Sequence, residues 1–287
     1  MNWFEKLKSG LKTRIKREVP NGIWVKCKNC NHSNYDIELE RNHWICANCR
    51  FHLPYNTQQY IDLLVDQGTF MEINPEIAPV DPLRFKGYWD KIKDGKRQSS
   101  GKESVLTGIG RIGSHPVALG IMDTRYLMGT LGSATGEKIC RLIDEAINTQ
   151  ATLVIICKSG GARMQESSYS LMQMARISAK LHQLSDAGLL YISILTDPTY
   201  GGVTASFAML GDIILAEPGS RIGFAGQNVI RQFLGSNAQL PTDFQVAESV
   251  IKHGFIDRIT ERREMATEIA KLIALLADNQ PTNPITE

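Results

Sequence analysis

Through the second half of the chain, apolar residues arrive in short blocks that alternate between strand-like runs and helical stripes. "VLTGIGRI" and "PVALGIM", between Val105 and Met122, predict two strands joined by a tight "GSH" turn. "SATGEKICRLIDEAINTQ" follows, with Ile139, Leu142, Ile143, Ala146 and Ile147 on one helical face. "LVIIC" then reads as a short buried strand that runs into "KSGGARMQES". Leu171, Met174, Ile177, Leu181 and Leu184 recur at three- and four-residue steps and predict a long helix whose stripe is core. "LLYISIL" is the next strand and ends in "DPTYGGVTASF". A short helix around Phe207, the strands "DIILAE" and "RIGFAG", a helical "DFQVAESVIKHG" and an amphipathic "REMATEIAKLIALLAD" follow in turn. The pattern is that of repeated strand–strand–helix units in an α/β fold.

Before Val105 the pattern is weaker. "TQQYIDLLVDQGTF" predicts a helix, "NPEIAPVDP" an extended stretch, and the charged "KGYWDKIKDGKRQSSGKES" a solvated loop.

Two glycine pairs, Gly160-Gly161 and Gly201-Gly202, each sit where a buried strand turns into a helix. Glycine lets other groups approach the backbone closely, because no Cβ intervenes. N–H groups at a helix N-terminus lack intrahelical partners and carry positive partial charge. Two such turns on neighbouring strands are suited to aim donors at one developing oxyanion. One pair alone is equally explained by close helix–strand packing; two equivalent pairs favour chemistry.

Near the start, "CKNCNHSNYDIELERNHWICANC" places Cys27, Cys30, Cys46 and Cys49 as C-x2-C-x15-C-x2-C. Each C-x2-C turn points two thiolates at one centre, and the intervening segment, read as a short hairpin, returns the second pair. Four sulfurs close a tetrahedron, so a zinc ion there is structural and supplies most of this small module's folding free energy, on the order of 10 kcal/mol. His32, His43 and His52 are expected at the surface rather than as ligands. Cys140 and Cys157 fall in apolar patterns and are expected as reduced core residues.

Composition limits the picture without redirecting it. With 43% hydrophobic and 22% charged residues and a net charge of +2, the chain reads as an ordinary globular protein. The first thirty residues carry Lys6, Lys8, Lys12, Arg14, Lys16, Arg17, Lys26 and Lys28 against Glu5 and Glu18. That arm reads as a solvated segment, with polyanion binding as the alternative. No run approaches the ~20 apolar residues of a membrane helix. There is no signal core at the start, so a cytoplasmic location is expected. The expected organisation is a basic arm over 1–22, a ribbon over 23–54, a body over 55–278 and a disordered tail over 279–287.

At "SGGARMQE" and "DPTYGGVTASFAMLGD", with the four-cysteine ribbon ahead and "AESVIKHGFID" behind, the chain resembles the beta subunit of the bacterial acetyl-CoA carboxylase carboxyltransferase. The resemblance runs from about Gly22 to Ile259. It implies a crotonase-like (ClpP/crotonase) fold of repeated β-β-α units. It also implies transfer of a carboxyl group from biotin, borne on a biotin carboxyl carrier protein, to acetyl-CoA, giving malonyl-CoA for fatty acid synthesis. A separate alpha subunit in a two-alpha, two-beta assembly is implied, with biotin carboxylase in the larger complex. On this resemblance, Gly201 and Gly202 give the thioester oxygen its N–H donors, and Gly160 and Gly161 contribute beside them. The biotin anion left by CO2 release itself removes the acetyl proton, so no side-chain base is required. Glu166 lies near the first turn as a candidate base; pairing with Arg163 or capping a helix is the favoured role.

Lys158 and Ser167 depart from the usual family pattern, and Lys158 leaves the charge beside the first turn open. Neither a Met-Lys-Met biotinylation site nor a G-x-x-x-x-G-K-[ST] loop is present, so the chain is expected neither to carry nor to charge biotin. Two other readings stand beside this one. One is a zinc-ribbon nucleic-acid-binding protein on a scaffold body, with Trp24, Tyr35, Trp44 and Phe51 as its aromatic platforms. The other is a crotonase-like hydrolase or isomerase acting alone on acyl-CoA. The residues that contact the CoA phosphates and adenine are not legible.

Overall fold

A computed structural model describes residues 24–99, 101, 103–235 and 239–277. The basic arm expected over 1–22 and the tail expected over 279–287 lie outside the described residues. The chain divides into two compact units, Met1–Leu53 and Pro54–Glu287.

In the first unit β1 (Trp24–Lys26) pairs antiparallel with β2 (Ser33–Tyr35), Trp24 opposite Tyr35. The segment expected to return as a hairpin instead forms helix α1 (Asp36–Arg41). Glu38, Leu39 and Arg41 are good helix formers, and the acidic Asp36 and Glu38 suit the positive end of the helix dipole. Only Leu39 of this helix is buried, and a single inward residue carries no period to separate helix from strand. It packs with Cys27, Cys46 and Leu53 into a small core. His52, expected at the surface, is buried at 6% exposure, because Ile45 and His52 form an antiparallel bridge that turns it inward.

The second unit is built on one sheet. Its strands are β3 (Met71–Glu72), β4 (Val105–Ile112), β5 (His115–Met122), β6 (Thr152–Ser159), β7 (Tyr191–Tyr200), β8 (Ile213–Ala216), β9 (Ile222–Gly223) and β10 (Arg258–Ile259). They lie in the order β10-β8-β7-β6-β5-β4-β3, with β9 pairing β7 off that path. β4 and β5 form the expected hairpin, Val105 opposite Met122, around the Gly113-Ser114 turn. From β5 through β6, β7 and β8 to β10 the pairing is parallel. Every residue of β6 is buried, as parallel strands covered on both faces require.

Helices alternate with these strands. α2 (Thr57–Leu64) opens with a capping box in which Asn56 and Gln59 satisfy each other's backbone N–H. α3 (Tyr88–Ser99) replaces the solvated loop expected there. Tyr88, Ile92, Gly95 and Ser99 form a buried stripe at steps of four, three and four, and the lysines and Asp94 between them hid it. α4 (Ser133–Thr149) buries Ile139, Leu142, Ile143 and Ala146 as expected, with Ile147 at the edge of the same cluster.

α5 (Ser168–Asp186) differs from its expected stripe at its N-terminal end. Ile177, Leu181 and Leu184 are buried, but Leu171 is exposed, and Ser170 and Gln173 face inward instead. Gly136 of α4 makes this close packing feasible, because a Cβ there would lie 2.7 Å from the Gln173 Cγ. Cys140 and Cys157 are free, buried thiols. Burial raises their pKa values, to about 11 and about 12. Among the described residues, no helix is long and apolar enough to cross a membrane.

Candidate functional site

The sheet register brings the two glycine pairs together. A shift in pairing between Cys157 and Ser159 places Ser159 opposite Thr199. The residues that follow each strand, Gly160-Gly161 and Gly201-Gly202, are thereby neighbours. Gly161 takes φ +116° and Gly201 φ +62°, both in the region that favours glycine. A Cβ on Gly201 would stand 2.9 Å from the Gly161 Cα, and one on Gly161 would stand 3.3 Å from the Gly201 Cα. The two turns meet backbone against backbone.

Their N–H groups are not equivalent. Gly160 donates to the Met128 carbonyl (2.8 Å), Gly161 to Ser159 Oγ (3.0 Å) and Gly201 to the Phe224 carbonyl (2.8 Å). Gly202 N–H has no acceptor among the described residues, as expected in the first turn of the short helix α6 (Gly201–Thr204). Ala162 N–H likewise has none among the described residues. Gly202 N lies 3.7 Å from where a Cβ on Gly161 would stand, and Ala162 N lies 3.8 Å from one on Gly201. The free donors thus flank the contact between the two turns. Nothing in the sequence singled out Ala162, because an alanine after two glycines carries no signal of its own.

Beneath the first turn lies a fully buried ionic cluster. Arg163 pairs with Glu103 (2.5 Å) and Glu166 (3.3 Å), and all three side chains have 0% exposure. The guanidinium also donates to the Thr130 carbonyl (2.8 Å) and lies 5.8 Å from the centroid of the Tyr126 ring. Burial would raise the Glu103 pKa, but Arg163 outweighs it and holds the carboxyl below its ordinary value. Glu166 accepts from the Tyr88 hydroxyl and from Ser133 N–H, both at 2.5 Å. It therefore ties α3 to the N-terminus of α4 and pairs with Arg163, which is structural work; the helix it caps is α4. Lys158 is also buried, and burial lowers its pKa; its Nζ donates to the Tyr55 carbonyl at 2.9 Å.

A cavity of about 490 Å³ adjoins the first turn. Gly160, Ala162, Met128 and Met164 line it, together with Lys91 and Gln98 of α3. The α3 residues were not anticipated, since their segment read as loop.

In the first unit the four cysteine sulfurs lie within 4.8 Å of one another and can hold a metal ion. The Cys27–Cys49 and Cys30–Cys46 sulfurs are each 3.7 Å apart. Hydrogen bonds from the Asn48 side chain and from the His32 backbone bring the Cys30 thiol down to about 6, which favours the thiolate that binds metal.

The carboxyl transferase domain family matches residues 57–287. The acetyl-coenzyme A carboxylase carboxyl transferase subunit beta of Desulforamulus reducens is 47% identical over 264 residues, 92% of this chain and 91% of that one. Its counterpart in Clostridium novyi is 49% identical, over 90% of this chain and 89% of that one. A Clostridium tetani protein named as subunits beta/alpha is 48% identical, and there the chain spans 44% of the relative's length. Among solved structures, the transcarboxylase 12S hexamer with methylmalonyl-coenzyme A bound shares the fold at TM-score 0.64 and 24% identity, over 76% of this chain and 40% of that one. A Pseudomonas malonate decarboxylase hetero-dimer does so at 0.59 and 22%, over 79% and 88%.

Proposed function

The chain belongs to the acetyl-coenzyme A carboxylase carboxyl transferase subunit beta family, and on that premise we propose that it moves a carboxyl group from carboxybiotin on a carrier protein to acetyl-CoA, forming malonyl-CoA. The N–CO2 bond of carboxybiotin breaks, the biotin anion takes a proton from the acetyl methyl, and the resulting enolate closes a C–C bond to CO2. The chain's own part is to receive the enolate oxygen. The observation that carries this reading is the meeting of the two glycine turns, with the free N–H groups of Gly202 and Ala162 beside the contact. Donors placed in advance where charge develops are the strongest single aid to such a step. Gly160, Gly161 and Gly201 take a different role from that expected of them. Their own N–H groups are engaged, and they shape the turns that aim the free ones.

The alpha subunit is the proposed partner, in a two-alpha, two-beta assembly. The relative that joins beta and alpha in one chain supports it. Zinc is the proposed ion of the four-cysteine cluster. Sulfurs ~2.3 Å from a tetrahedral centre lie about 3.8 Å apart, close to the 3.7 Å seen in two of the pairs. With four thiolates as ligands the ion is structural. The relatives do not favour a scaffold body serving a nucleic-acid-binding ribbon.

The test is to mix this chain with a candidate alpha subunit and follow malonyl-CoA-dependent carboxylation of free biotin, the reverse reaction. Activity in the mixture and not in either chain alone is expected. Turnover of acyl-CoA by this chain alone, without biotin, would establish the stand-alone hydrolase or isomerase instead.

A further inference from the structure

The second glycine turn leans on β9 and the loop that follows it, where Ile222 is buried in the core and Phe224 is exposed. Gly201 N–H donates to the carbonyl of Phe224, whose side chain is 72% exposed. Pairing of β9 with β7, Ile222 opposite Thr199 and Gly223 opposite Tyr200, holds the start of this loop, and the segment just ahead of α8 (Ala247–Val250) holds it from the other side. Ile222 N–H donates to the Gln245 carbonyl (2.7 Å), and Gln245 Nε2 donates to the Ala225 carbonyl (2.7 Å). Gln227 Nε2, at the start of α7 (Gln227–Leu234), donates to the Phe244 carbonyl (2.8 Å). Gln245 thus grips the chain on both sides of Phe224, once by its backbone and once by its side chain.

Two local features single this residue out. Gln245 takes φ +63°, a conformation that residues with a Cβ rarely adopt. Gly223 leaves vacant the space its carboxamide fills, since a Cβ on Gly223 would lie 2.6 Å from the Gln245 Cδ. The Gln245 Oε1 is buried and takes no donor among the described residues, so the Nε2 contact to Ala225 is the carboxamide's hydrogen bond. Unusual backbone geometry persists where the surrounding structure over-determines it, and functional sites are where it concentrates.

We propose that Gln245 is a positioning residue for carboxyl transfer: by fixing Ala225 and Phe224 it sets the acceptor of Gly201 N–H and so the aim of Gly202 N–H. This rests on the reading of Gly202 as an oxyanion donor. A donor displaced by about 1 Å costs up to ~100-fold in rate without a comparable change in binding.

The test uses Gln245→Met, which keeps length and volume but removes the donor, and Gly223→Ala, which pushes on the same carboxamide from the other side. Each is assayed in the complex with the alpha subunit. The free chain is followed by hydrogen exchange in peptides covering residues 199–205 and 222–227. A roughly 10- to 100-fold fall in kcat, with KM for malonyl-CoA little changed and protection lost in both peptides, is the expected result. Unchanged protection over 199–205 in Gln245→Met overturns the positioning role. Lost protection with unchanged kcat overturns the reading of Gly202 and, with it, any catalytic consequence of Gln245. Protection lost across the whole chain in both variants shows a purely structural residue and also overturns the proposal.

Discussion

Placing a branched side chain at Gly202 tests the donor assignment most directly. A Cβ there would stand 2.7 Å from the Met174 Sδ and 3.5 Å from the Ala162 Cβ, with no left-handed φ to add strain. Alanine therefore meets the flexible end of one methionine, which can yield. Valine adds two methyl groups where that space is already exhausted, and the first turn of α6 must move away from α5. Loss of one oxyanion donor costs about 10²–10³ in rate, or ~3–4 kcal/mol. Gly202→Val is expected to lose that much in the reverse carboxylation of free biotin, with metal content and partner assembly intact. Gly202→Ala should lose far less, and Met174→Ala combined with Gly202→Val should recover part of the rate, because it vacates the obstructed space. Binding of malonyl-CoA is measured alongside, since a narrowed site also weakens binding. Near wild-type turnover by an assembled Gly202→Val complex would falsify the assignment and reduce the turn to packing.

Cys46→Ser should lose bound metal while the unit from Pro54 onward keeps its melting transition; full metal content in that variant contradicts the four-sulfur site. Gly201→Ala should be more damaging to folding than Gly202→Ala, because its Cβ meets the Gly161 backbone at 2.9 Å and its φ is +62°; equal melting temperatures would refute this. Arg163→Met leaves two buried carboxylates without their cation and should cost about 3–5 kcal/mol of stability, read from urea unfolding. The Glu103 carboxyl sits below its ordinary value when folded, so its share of stability is fully present above about pH 4.3 and is lost as pH falls through the lowered value. Glu103→Gln should flatten that acid limb of the stability profile, and an unchanged limb would show that other carboxylates govern it.

The hairpin of β4 and β5, the buried β6 and the face of α4 were legible because their apolar residues repeat at one clean period. Both glycine turns were legible too, since a glycine pair between a buried strand and a helix stands out in a core. α3 was missed because its inward residues are a tyrosine, one isoleucine, a glycine and a serine, and a hydropathy pattern does not register such a stripe. The exposure of Leu171 went unseen for the converse reason, because the packing of α5 on Gly136 of α4 turns Gln173 inward at the cost of a leucine. Within the site, the sequence placed four glycines but could not say which N–H was already engaged. That depends on Met128, Ser159 and Phe224, and two of these acceptors lie more than twenty residues from the turn they satisfy. Gln245 was invisible for the same reason, since its meaning rests on a loop that only the fold brings beside it.

The contact between Gly161 and Gly201 is a hard stop rather than a bond. Hydrogen bonds and ion pairs weaken with salt, acid or heat, but two backbones that leave no room for a Cβ resist approach under all of these. The spacing between the two turns is therefore fixed from below by steric exclusion, independent of ionic strength and of every titrating group around it. The Glu103 carboxyl beside Arg163 can take up a proton without bringing the turns closer. At this contact the turns have more room to part than to close, and a spin-label pair flanking them would report which way they move with changing solvent.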